Sequence, residues 1–299
     1  MTSAVEQALS AACPSLRLQE PLSRHTSLAI GGPADFYADV NTQGELLALH
    51  RAVHSAHLPV FFLGAGSNLL VSDKGIRGLV IHLQGDFRRI QIDGERVVVG
   101  AGAWMPTAVK QCAEKGLAGI ESLIGVPGTI GGGLVMNAGT RDGVLGDVVE
   151  SVDTIDERSR ICTRSLDQLD FQYRRSNLGD QWILSATLRL KADERTHIIS
   201  RVDGYLQYRA RTQPLATSNC GSVFKNPEGH AAAQLIEQAG LKGMLIGGAR
   251  ISERHANFII NEKQASAADV RELMNRAQKK VLEKFGVHLE PEVKLVGEW

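Results

Sequence analysis

The chain has 299 residues, of which 43% are hydrophobic and 22% charged, and its formal net charge is zero. This length allows two or three domains with cores of their own, and the composition is that of an ordinary globular protein. The zero net charge argues against nucleic acid as a partner, because no overall field attracts a polyanion. Residues 1–16 lack a signal-peptide layout, and no apolar run approaches the ~20 residues of a membrane helix. We therefore predict a cytoplasmic protein with no membrane partner and no obligatory protein partner.

The first half of the chain alternates predicted strands with predicted helices. Strands are predicted at 34–40, 60–63, 79–83 and 96–99, where apolar residues alternate or cluster between turn residues. Thr42 and Glu45 match a capping box, which predicts a helix that ends before Pro59. A second helix is predicted from Pro106, and Gly116 would end it.

The last third of the chain has a different character. After a strand predicted at 182–190, this third holds a helix predicted at 231–239 and a strand predicted at 258–260. Ser266 would cap a long helix with one apolar face, and Gly286 would end it. We therefore predict a boundary near residue 200, between an α+β portion rich in loops and a smaller α/β portion.

The cysteines and histidines indicate no metal site. Four cysteines are widely spaced with no C-x-x-C pair, which predicts free, buried thiols. Three histidines recur at helical spacing, but no H-E-x-x-H motif accompanies them, so we expect a solvated helix flank. His25 lies near two glycines and is expected in a loop or capping role. These residues are Cys13, Cys112, Cys162 and Cys220, and His50, His54 and His57.

Two glycine-rich segments are the strongest signs of a ligand site. The first, 64–68, leaves an apolar strand, and its small residues would let backbone N–H groups approach an anion, although a tight turn would explain it equally well. The second holds six glycines and Pro127 between Gly125 and Gly139, and such a run is costly to any helix or strand. Neither segment has the G-x-G-x-x-G spacing or a Walker A motif. Together they predict backbone wrapped around a large flat or phosphorylated ligand.

Three short stretches carry candidate reactive groups. Ser222 follows a glycine and precedes Lys225 and Asn226, a combination that suits an anionic small molecule. Arg174 lies in a polar turn and could grip a carboxylate through two parallel hydrogen bonds. Glu292 precedes a final strand. For Arg174 and Glu292 taken alone, exposed surface charges are the simpler interpretation.

With these pieces in order, the chain closely resembles the UDP-N-acetylenolpyruvoylglucosamine reductases of peptidoglycan synthesis, the MurB family. The resemblance extends from about residue 23 to 297, and 209–220 is similar to the shorter family type, which lacks a substrate-closing insertion. The matching blocks are 26–34, LGAGSNLL at 63–70, GVPGTIGGGLVMNAG at 125–139, YRRS at 173–176, GSVFKNP at 221–227, LKGMLIGGARIS at 241–252 and LEPEVKLVG at 289–297.

The resemblance implies an α+β fold with three domains. Residues 1–84 and 85–200 would be the two subdomains of an FAD-binding unit of the vanillyl-alcohol-oxidase type. Residues 201–299 would be an α/β substrate-binding domain, whose last strand could return to the N-terminal unit. The FAD would be non-covalent, because the segments 63–70 and 125–139 contain no histidine or cysteine to attach it. His25, outside them, could be imagined as an anchor.

The resemblance also assigns cofactor and substrate residues. The loop 64–68 would hold the FAD pyrophosphate, and 125–139 would line the isoalloxazine and the rest of the cofactor. Tyr173, Asn226 and Lys225 would contact the substrate, with Lys225 at the UDP phosphates. The implied cofactor residues are Gly64, Ala65, Gly66, Ser67, Asn68, Leu69, Gly125, Pro127, Gly128, Thr129, Gly131, Gly132, Asn137 and Gly139.

The implied reaction is the reduction of an enolpyruvyl ether of UDP-N-acetylglucosamine by NADPH through flavin N5. The hydride would reach the terminal vinyl carbon, and the charge developing on its neighbour would spread into the carboxylate. Arg174 would grip that carboxylate, assisted by Glu292, either protonated or bridged by a cation. Ser222 would donate the proton to the alpha carbon.

Two other functions remain compatible with the motifs. A related FAD oxidase acting on an alcohol or lactone would need no combination of Arg174, Ser222 and Glu292. A nucleotide-sugar or FAD sensor without turnover is the non-catalytic alternative, and the intact Ser222 argues against it.

Overall fold

A computed structural model describes residues 4–299 and divides them into two compact units. The first unit comprises 4–17, Tyr37–Gly64 and Leu79–Tyr208, and the second comprises Leu18–Phe36, Ala65–Gly78 and Arg209–Trp299. Residues 1–3 lie outside the described residues; they belong to the stretch 1–16, for which no signal peptide was predicted. The second unit thus takes in two segments of the predicted first subdomain, and the linear three-domain division stays a prediction.

Residues 4–299 form seven α-helices and twenty strands. The helices are α1 (Ala4–Ala12), α2 (Gln43–Ala56), α3 (Met105–Glu114), α4 (Ile130–Met136), α5 (Arg195–Thr212), α6 (Ala232–Gln238) and α7 (Ala267–Phe285). The strands are β1 (Arg17–Pro21), β2 (Pro33–Val40), β3 (Val60–Phe62), β4 (Leu69–Val71), β5 (Ile76–Leu83), β6 (Ile90–Asp93), β7 (Arg96–Gly100), β8 (Leu117–Ala118), β9 (Gly139–Thr140), β10 (Gly143–Val144), β11 (Val149–Ile155), β12 (Ile161–Ser165), β13 (Phe171–Gln172), β14 (Arg175–Ser176), β15 (Trp182–Arg189), β16 (Lys191–Ala192), β17 (Leu245–Ile246), β18 (Ala249–Ile251), β19 (Ile259–Asn261) and β20 (Lys294–Val296).

The first unit is built on an antiparallel five-stranded sheet in the order β12-β11-β15-β7-β6. Alternation along these strands puts one face into the core, where Val97, Val99, Val152 and Leu188 are buried. A second sheet has the order β1-β2-β5-β3, and β3 runs parallel to β5. The first glycine-rich segment begins at residue 64, two residues after the end of β3.

The predicted capping box at α2 is confirmed, but the expectation for its histidines is wrong at His50. Thr42 accepts a hydrogen bond from the N–H of Glu45, whose carboxylate accepts one from the N–H of Thr42. His50 is buried: its Nδ1 lies 2.8 Å from the Ser159 hydroxyl, and its ring meets the edge of Trp182 at 4.7 Å. Tertiary contacts, which helical spacing does not reveal, bury His50, whereas His54 and His57 are exposed as expected.

The second unit packs α7 against the antiparallel sheet β17-β18-β19, and α6 packs against α7. As predicted, Ser266 caps α7, and Gly286 ends it with a φ of 68°. Asp73 adds a second cap, since its carboxylate accepts hydrogen bonds from the N–H groups of Ala267 and Ala268 at 2.8 and 3.1 Å. In the same unit β20 pairs in parallel with β4, which directly follows the first glycine segment.

The sequence analysis missed three helices, α1, α4 and α5. α4 lies inside the second glycine-rich segment, which we expected to be loop throughout. A Cβ on Gly131 would lie 3.1 Å from the Ala101 carbonyl oxygen, so this glycine permits close packing that outweighs its poor helix propensity. α5 escaped because its sequence is polar on most faces, and only Ile198 and Val202 are buried.

The four cysteines are free thiols, as predicted, and three of them are buried. Burial raises the pKa of Cys112 and of Cys220 to about 12, so neither is a thiolate at neutral pH. Cys162 is half-buried, close to the Thr154 hydroxyl. No helix among residues 4–299 has both the length and the apolar character needed to cross a membrane.

Candidate active site

The segment 64–68 needs its glycines because other atoms of the protein approach Gly64 and Gly66 closely. In the first unit a Cβ on Gly64 would lie 2.6 Å from the Thr129 hydroxyl oxygen. In the second unit Gly66 has a φ of 61°, and a Cβ there would lie 2.7 Å from Cα of Thr26. Within residues 4–299 the N–H groups of Ala65 and Gly66 donate to no oxygen. Two neighbouring amide donors are thus available to an anion.

The second glycine-rich segment is fixed to residues 101–105 of the first unit. Its exposed residues are Pro127 and Gly132. The side chain of Thr129 caps α4 by accepting from the N–H of Gly132 at 3.4 Å. The segment is held by backbone hydrogen bonds from Met105 to Gly128, from Ile130 to Ala103 and from Gly131 to Ala101, at 2.8–2.9 Å.

A buried carboxylate precedes this segment. Glu121 accepts a hydrogen bond from the N–H of Gly119 at 2.6 Å and two from the Arg201 guanidinium at 2.7 and 3.0 Å. Burial alone would raise the pKa of Glu121, but these donors outweigh it and hold the pKa below its ordinary value. The ionised pair fixes α5 to the chain that leads into the glycines.

Arg174 lies at the tip of a tight hairpin in the first unit. Tyr173 and Arg174 form the two-residue connection between β13 and β14, where Gln172 pairs with Arg175. The φ of Arg174 is 58°, a left-handed conformation that is uncommon outside glycine and recurs at functional sites. Arg175 is bound within the hairpin, through its Nε to the Gln172 side-chain oxygen at 2.7 Å. The guanidinium of Arg174 lies 5.1 Å from the Tyr173 ring centroid.

Asn137, predicted as a cofactor residue, anchors this hairpin. Its side-chain amide donates to the Gln172 carbonyl at 3.1 Å, and its side-chain oxygen accepts from the N–H of Gly146 at 3.0 Å. Its own φ is 42°, at the end of α4. The Ser176 hydroxyl donates to the Val135 carbonyl at 3.1 Å. The second glycine-rich segment therefore sets the position of Arg174.

In the second unit, Ser27 joins the loop 64–68 to the chain before Ser222. The N–H of Ser27 donates to the Gly66 carbonyl at 3.1 Å, and its hydroxyl donates to the Asn219 carbonyl at 2.6 Å. The side-chain oxygen of Asn219 accepts from the N–H of Gly221 at 2.9 Å. Gly221 has a φ of 76°, a left-handed conformation that directs the chain into Ser222.

The backbone after Ser222 is clamped by a buried asparagine. The N–H of Val223 donates to the Asn257 carbonyl at 2.9 Å. The side chain of Asn257 accepts from the N–H of Phe224 at 3.0 Å and donates to the Phe224 carbonyl at 2.8 Å. Asn257 is only 4% exposed, so these bonds are shielded from water.

Glu292 lies against the same stretch of backbone. Its N–H donates to the Val223 carbonyl at 2.8 Å, and the N–H of Val293 reaches the same oxygen at 3.2 Å. The Glu292 carbonyl accepts a hydrogen bond at 3.2 Å from the side-chain amide of Asn68. The second unit thus brings together three predicted site residues: Asn68, Glu292 and, through Val223, Ser222.

The two predicted substrate residues after Ser222 already have partners in the protein. The ammonium of Lys225 pairs with the Glu290 carboxylate at 2.5 Å. The side-chain oxygen of Asn226 accepts from the N–H of Ala232, the first residue of α6, at 3.0 Å. Their assignment to substrate stays a prediction.

Sequence reasoning missed Ser27, Asn257 and the segment 101–105. Ser27 lies within a block that matched the family, but the partner of its hydroxyl, the Asn219 carbonyl, is 192 residues away in the sequence. Asn257 has no local motif, and its partner lies 33 residues away. Such pairings appear only once the fold is known.

Two family models match the chain. Residues 34–165 match an FAD binding domain, and residues 213–296 match the C-terminal domain of UDP-N-acetylenolpyruvoylglucosamine reductase. UDP-N-acetylenolpyruvoylglucosamine reductase 2 of Symbiobacterium thermophilum is 46% identical over 94% of this chain and 92% of its own length. The reductase of Moorella thermoacetica is 43% identical over 93% and 92%.

Solved structures show the same likeness. The UDP-N-acetylenolpyruvylglucosamine reductase (MurB) of Thermus caldophilus aligns with a TM-score of 0.81 at 37% identity, over 94% of this chain and 97% of that one. The glucose dehydrogenase Phl p 4.0202 aligns with a TM-score of 0.52 at 10% identity, over 96% and 64%, which is a likeness of fold alone. These matches confirm the resemblance stated from the motifs and the predicted α+β fold class. The chain belongs to the UDP-N-acetylenolpyruvoylglucosamine reductase family.

Proposed function

We propose that this protein is a UDP-N-acetylmuramate dehydrogenase, an FAD enzyme. With NADPH it reduces the enolpyruvyl group of UDP-N-acetyl-3-O-(1-carboxyvinyl)-glucosamine to give UDP-N-acetylmuramate, a peptidoglycan precursor. The names of the relatives and the FAD binding domain model support this activity. The observation that carries it is that the Glu292 backbone is hydrogen-bonded both to Val223, the residue after Ser222, and to the side chain of Asn68 in the loop 64–68. Four free thiols suit a reducing compartment, so we place the reaction in the cytoplasm.

The residues present fit FAD. The N–H groups of Ala65 and Gly66 have no partner within residues 4–299, and a pyrophosphate would satisfy them. In the second glycine-rich segment Gly132 is exposed and has no side chain, so a flat ring of the cofactor could approach it. When bound, FAD supplies the hydride chemistry between NADPH and the alkene. With no histidine or cysteine in either segment, neither can form a covalent link to the flavin.

Arg174 would hold the substrate carboxylate. Its guanidinium offers a fork of donors that matches a carboxylate, and the hairpin fixes it in advance. As the terminal vinyl carbon gains a hydride, negative charge develops on the neighbouring carbon and spreads into this carboxylate. A preorganised cation stabilises that charge more than it stabilises the ground state.

Ser222 would complete the reduction by giving its proton to the carbon next to the carboxylate. A hydroxyl is a weak acid, but the enolate is a strong base, so the transfer is favourable when the geometry is right. Water then returns a proton to the serine oxygen. Glu292, either protonated or bridged by a cation, would assist Arg174 at the carboxylate. The backbone bonds to the Val223 carbonyl hold the Glu292 backbone beside Val223, which directly follows Ser222.

Tyr173, Asn226 and Lys225 would contact the rest of the substrate. Tyr173 is 56% exposed beside Arg174 and can pack on a sugar or base. The amide nitrogen of Asn226 donates to no oxygen of residues 4–299, so it remains available to a ligand. Lys225 would exchange Glu290 for the UDP phosphates, since a partly exposed ion pair contributes only about 0–1 kcal/mol.

An anaerobic titration tests the function. Purified protein should carry a flavin absorption band that NADPH bleaches and that the enolpyruvyl UDP-sugar restores. Reoxidation by oxygen but not by the sugar would instead support an FAD oxidase. Bound flavin that is reoxidised by neither acceptor would support a sensor. A colourless protein that takes up no FAD would refute the reductase, the oxidase and the FAD sensor.

A further inference from the structure

Asn68 lies where the loop 64–68 enters β4. Its carbonyl accepts from the N–H of Lys294 at 3.0 Å, which begins the parallel pairing of β4 with β20. One step further along, its side-chain amide donates to the Glu292 carbonyl at 3.2 Å. The Asn68 side chain thus adds one hydrogen bond beyond the backbone pairing of β4 with β20, and this bond reaches Glu292.

The peptide group between Glu292 and Val293 is held at both ends. Its oxygen accepts from Asn68, and its N–H donates to the Val223 carbonyl at 3.2 Å. The preceding N–H, that of Glu292, donates to the same carbonyl at 2.8 Å. Hydrogen bonds at the two ends of one peptide group polarise each other, so losing the Asn68 bond weakens the bond from Val293 to Val223.

We propose that Asn68 is a positioning residue that transmits order from the cofactor loop to Glu292. This inference rests on the proposed function for its kinetic consequence. The Asn68 side chain faces the acidic residue, so the contribution of this position to the cofactor comes from its backbone. Anything that orders the loop 64–68 also orders Glu292, and by linkage an ordered Glu292 favours the cofactor-bound loop.

The coupling predicts an asymmetry between the half-reactions. Reduction of the flavin by NADPH does not need Glu292, whereas reduction of the alkene does. Displacement of a catalytic group by about 1 Å can slow a reaction by roughly 100-fold. Loss of the Asn68 amide should therefore slow the second half-reaction up to roughly 100-fold and leave flavin reduction within about twofold.

The test compares Asn68→Ala and Asn68→Asp with Asn261→Ala. Asn261 is a matched control, because it is also half-buried in the second unit, donates to a backbone carbonyl (Leu28, 3.0 Å) and accepts from a backbone N–H (Ala265, 2.9 Å). Asn68→Asp keeps the volume of the side chain and removes its donor. Because it is nearly isosteric, it keeps the test open if Asn68→Ala does not fold.

The first readout is hydrogen exchange of a peptide covering 291–296, measured with and without FAD. In the wild type, FAD should slow exchange of the Val293 and Lys294 amides. Both Asn68 variants should lose that protection, and Asn261→Ala should keep it. The second readout is stopped-flow measurement of each half-reaction, in which the Asn68 variants should slow only the second.

Unchanged protection of 291–296 in the Asn68 variants, or equal slowing of both half-reactions, would overturn the proposal. The exchange experiment requires no turnover. If the wild type proves unable to reduce the sugar, the proposed function falls while the exchange readout still decides the role of Asn68.

Discussion

The side chain of Asn257 forms both of its backbone hydrogen bonds with one residue, Phe224, accepting from its N–H at 3.0 Å and donating to its carbonyl at 2.8 Å. The side-chain amide of Asn257 thus bonds to the backbone of Phe224 as the backbone of a neighbouring strand would. Because Phe224 lies two positions after Ser222, this pair fixes the direction in which the serine is presented.

Asn257→Ala should therefore lower both stability and activity. The N–H and carbonyl of Phe224 would be left buried without partners, at a cost of about 1–3 kcal/mol each. Chemical denaturation should show a loss of about 2–4 kcal/mol. Asn177→Ala is the control, because Asn177 makes a similar pair of bonds on the exposed surface. An equally small effect in both variants would contradict the role given to burial.

Ser222→Ala should separate the two half-reactions. Flavin reduction by NADPH should proceed within about twofold of the wild type, since no proton from Ser222 is needed there. Reoxidation by the enolpyruvyl sugar should slow by about 10²–10⁴-fold, the usual contribution of a positioned acid. Ser218→Ala, four residues upstream and also half-buried, is the matched control. A Ser222→Ala protein that reoxidises at full speed would remove the serine from the chemistry.

The two arginines of the hairpin should differ sharply. Arg174→Ala removes the guanidinium at the tip and should slow sugar reduction by about 10²–10³-fold, as the loss of one charge-stabilising donor does. Arg175→Ala removes only an exposed bond to Gln172 and should change that rate by less than about twofold. Arg174→Lys keeps the charge but loses the paired donors of the guanidinium, so its rate of sugar reduction should lie between those of the two alanine variants. Stopped-flow traces of flavin reoxidation measure all three rates, and similar losses for Arg174→Ala and Arg175→Ala would count against this assignment.

The elements that could be predicted are those whose cause is local. Thr42 with Glu45, and Ser266 with Gly286, mark helix ends through contacts within a few residues. α4 could not be predicted, because its glycines are accommodated by packing against residues such as Ala101. The bond from Asn68 to Glu292 joins positions 224 residues apart. Motif order assigned both residues to a site without revealing that they touch.

Stability should fall as the pH drops below about 6.5, in part because of His50. Burial, with help from neighbouring His54 and Arg51, lowers the pKa of His50 below its ordinary value, although Asp156 opposes the shift. Between that lowered pKa and about 6.5 the unfolded chain binds the proton more readily than the folded chain does. The stability from neutral His50 is therefore complete above pH 6.5 and is lost as the pH falls through the folded pKa.

His50→Gln keeps a polar group near Ser159 and removes this titration. Melting temperatures from pH 8 to pH 5 should fall less steeply for this variant than for the wild type. The pKa of His255 is also lowered by burial, so the slope should be reduced rather than abolished. An identical slope in the variant would show that His50 does not contribute.

Gly66→Ala should strongly weaken FAD binding. A Cβ at this position would overlap the His25 carbonyl oxygen and lie 2.7 Å from Cα of Thr26, both of them backbone atoms that side-chain motion cannot relieve. The loop would have to shift, and the neighbouring donors on Ala65 and Gly66 would lose their alignment. Added to this is the strain of a φ of 61° for alanine, about 1 kcal/mol. FAD binding to the apoprotein, followed by flavin fluorescence, should weaken by at least roughly 100-fold, since two charge-assisted hydrogen bonds are lost.

Gly94→Ala separates steric overlap from backbone strain. Gly94 has a similar φ, 56°, but no atom lies within 4 Å of the position its Cβ would take. The variant should lose about 1 kcal/mol of stability and bind FAD like the wild type. If Gly66→Ala resembles Gly94→Ala in both measurements, the close backbone approach at Gly66 does not shape the cofactor loop. If only Gly66→Ala loses FAD, the contact with residues 25–26 is what holds its amide donors in place.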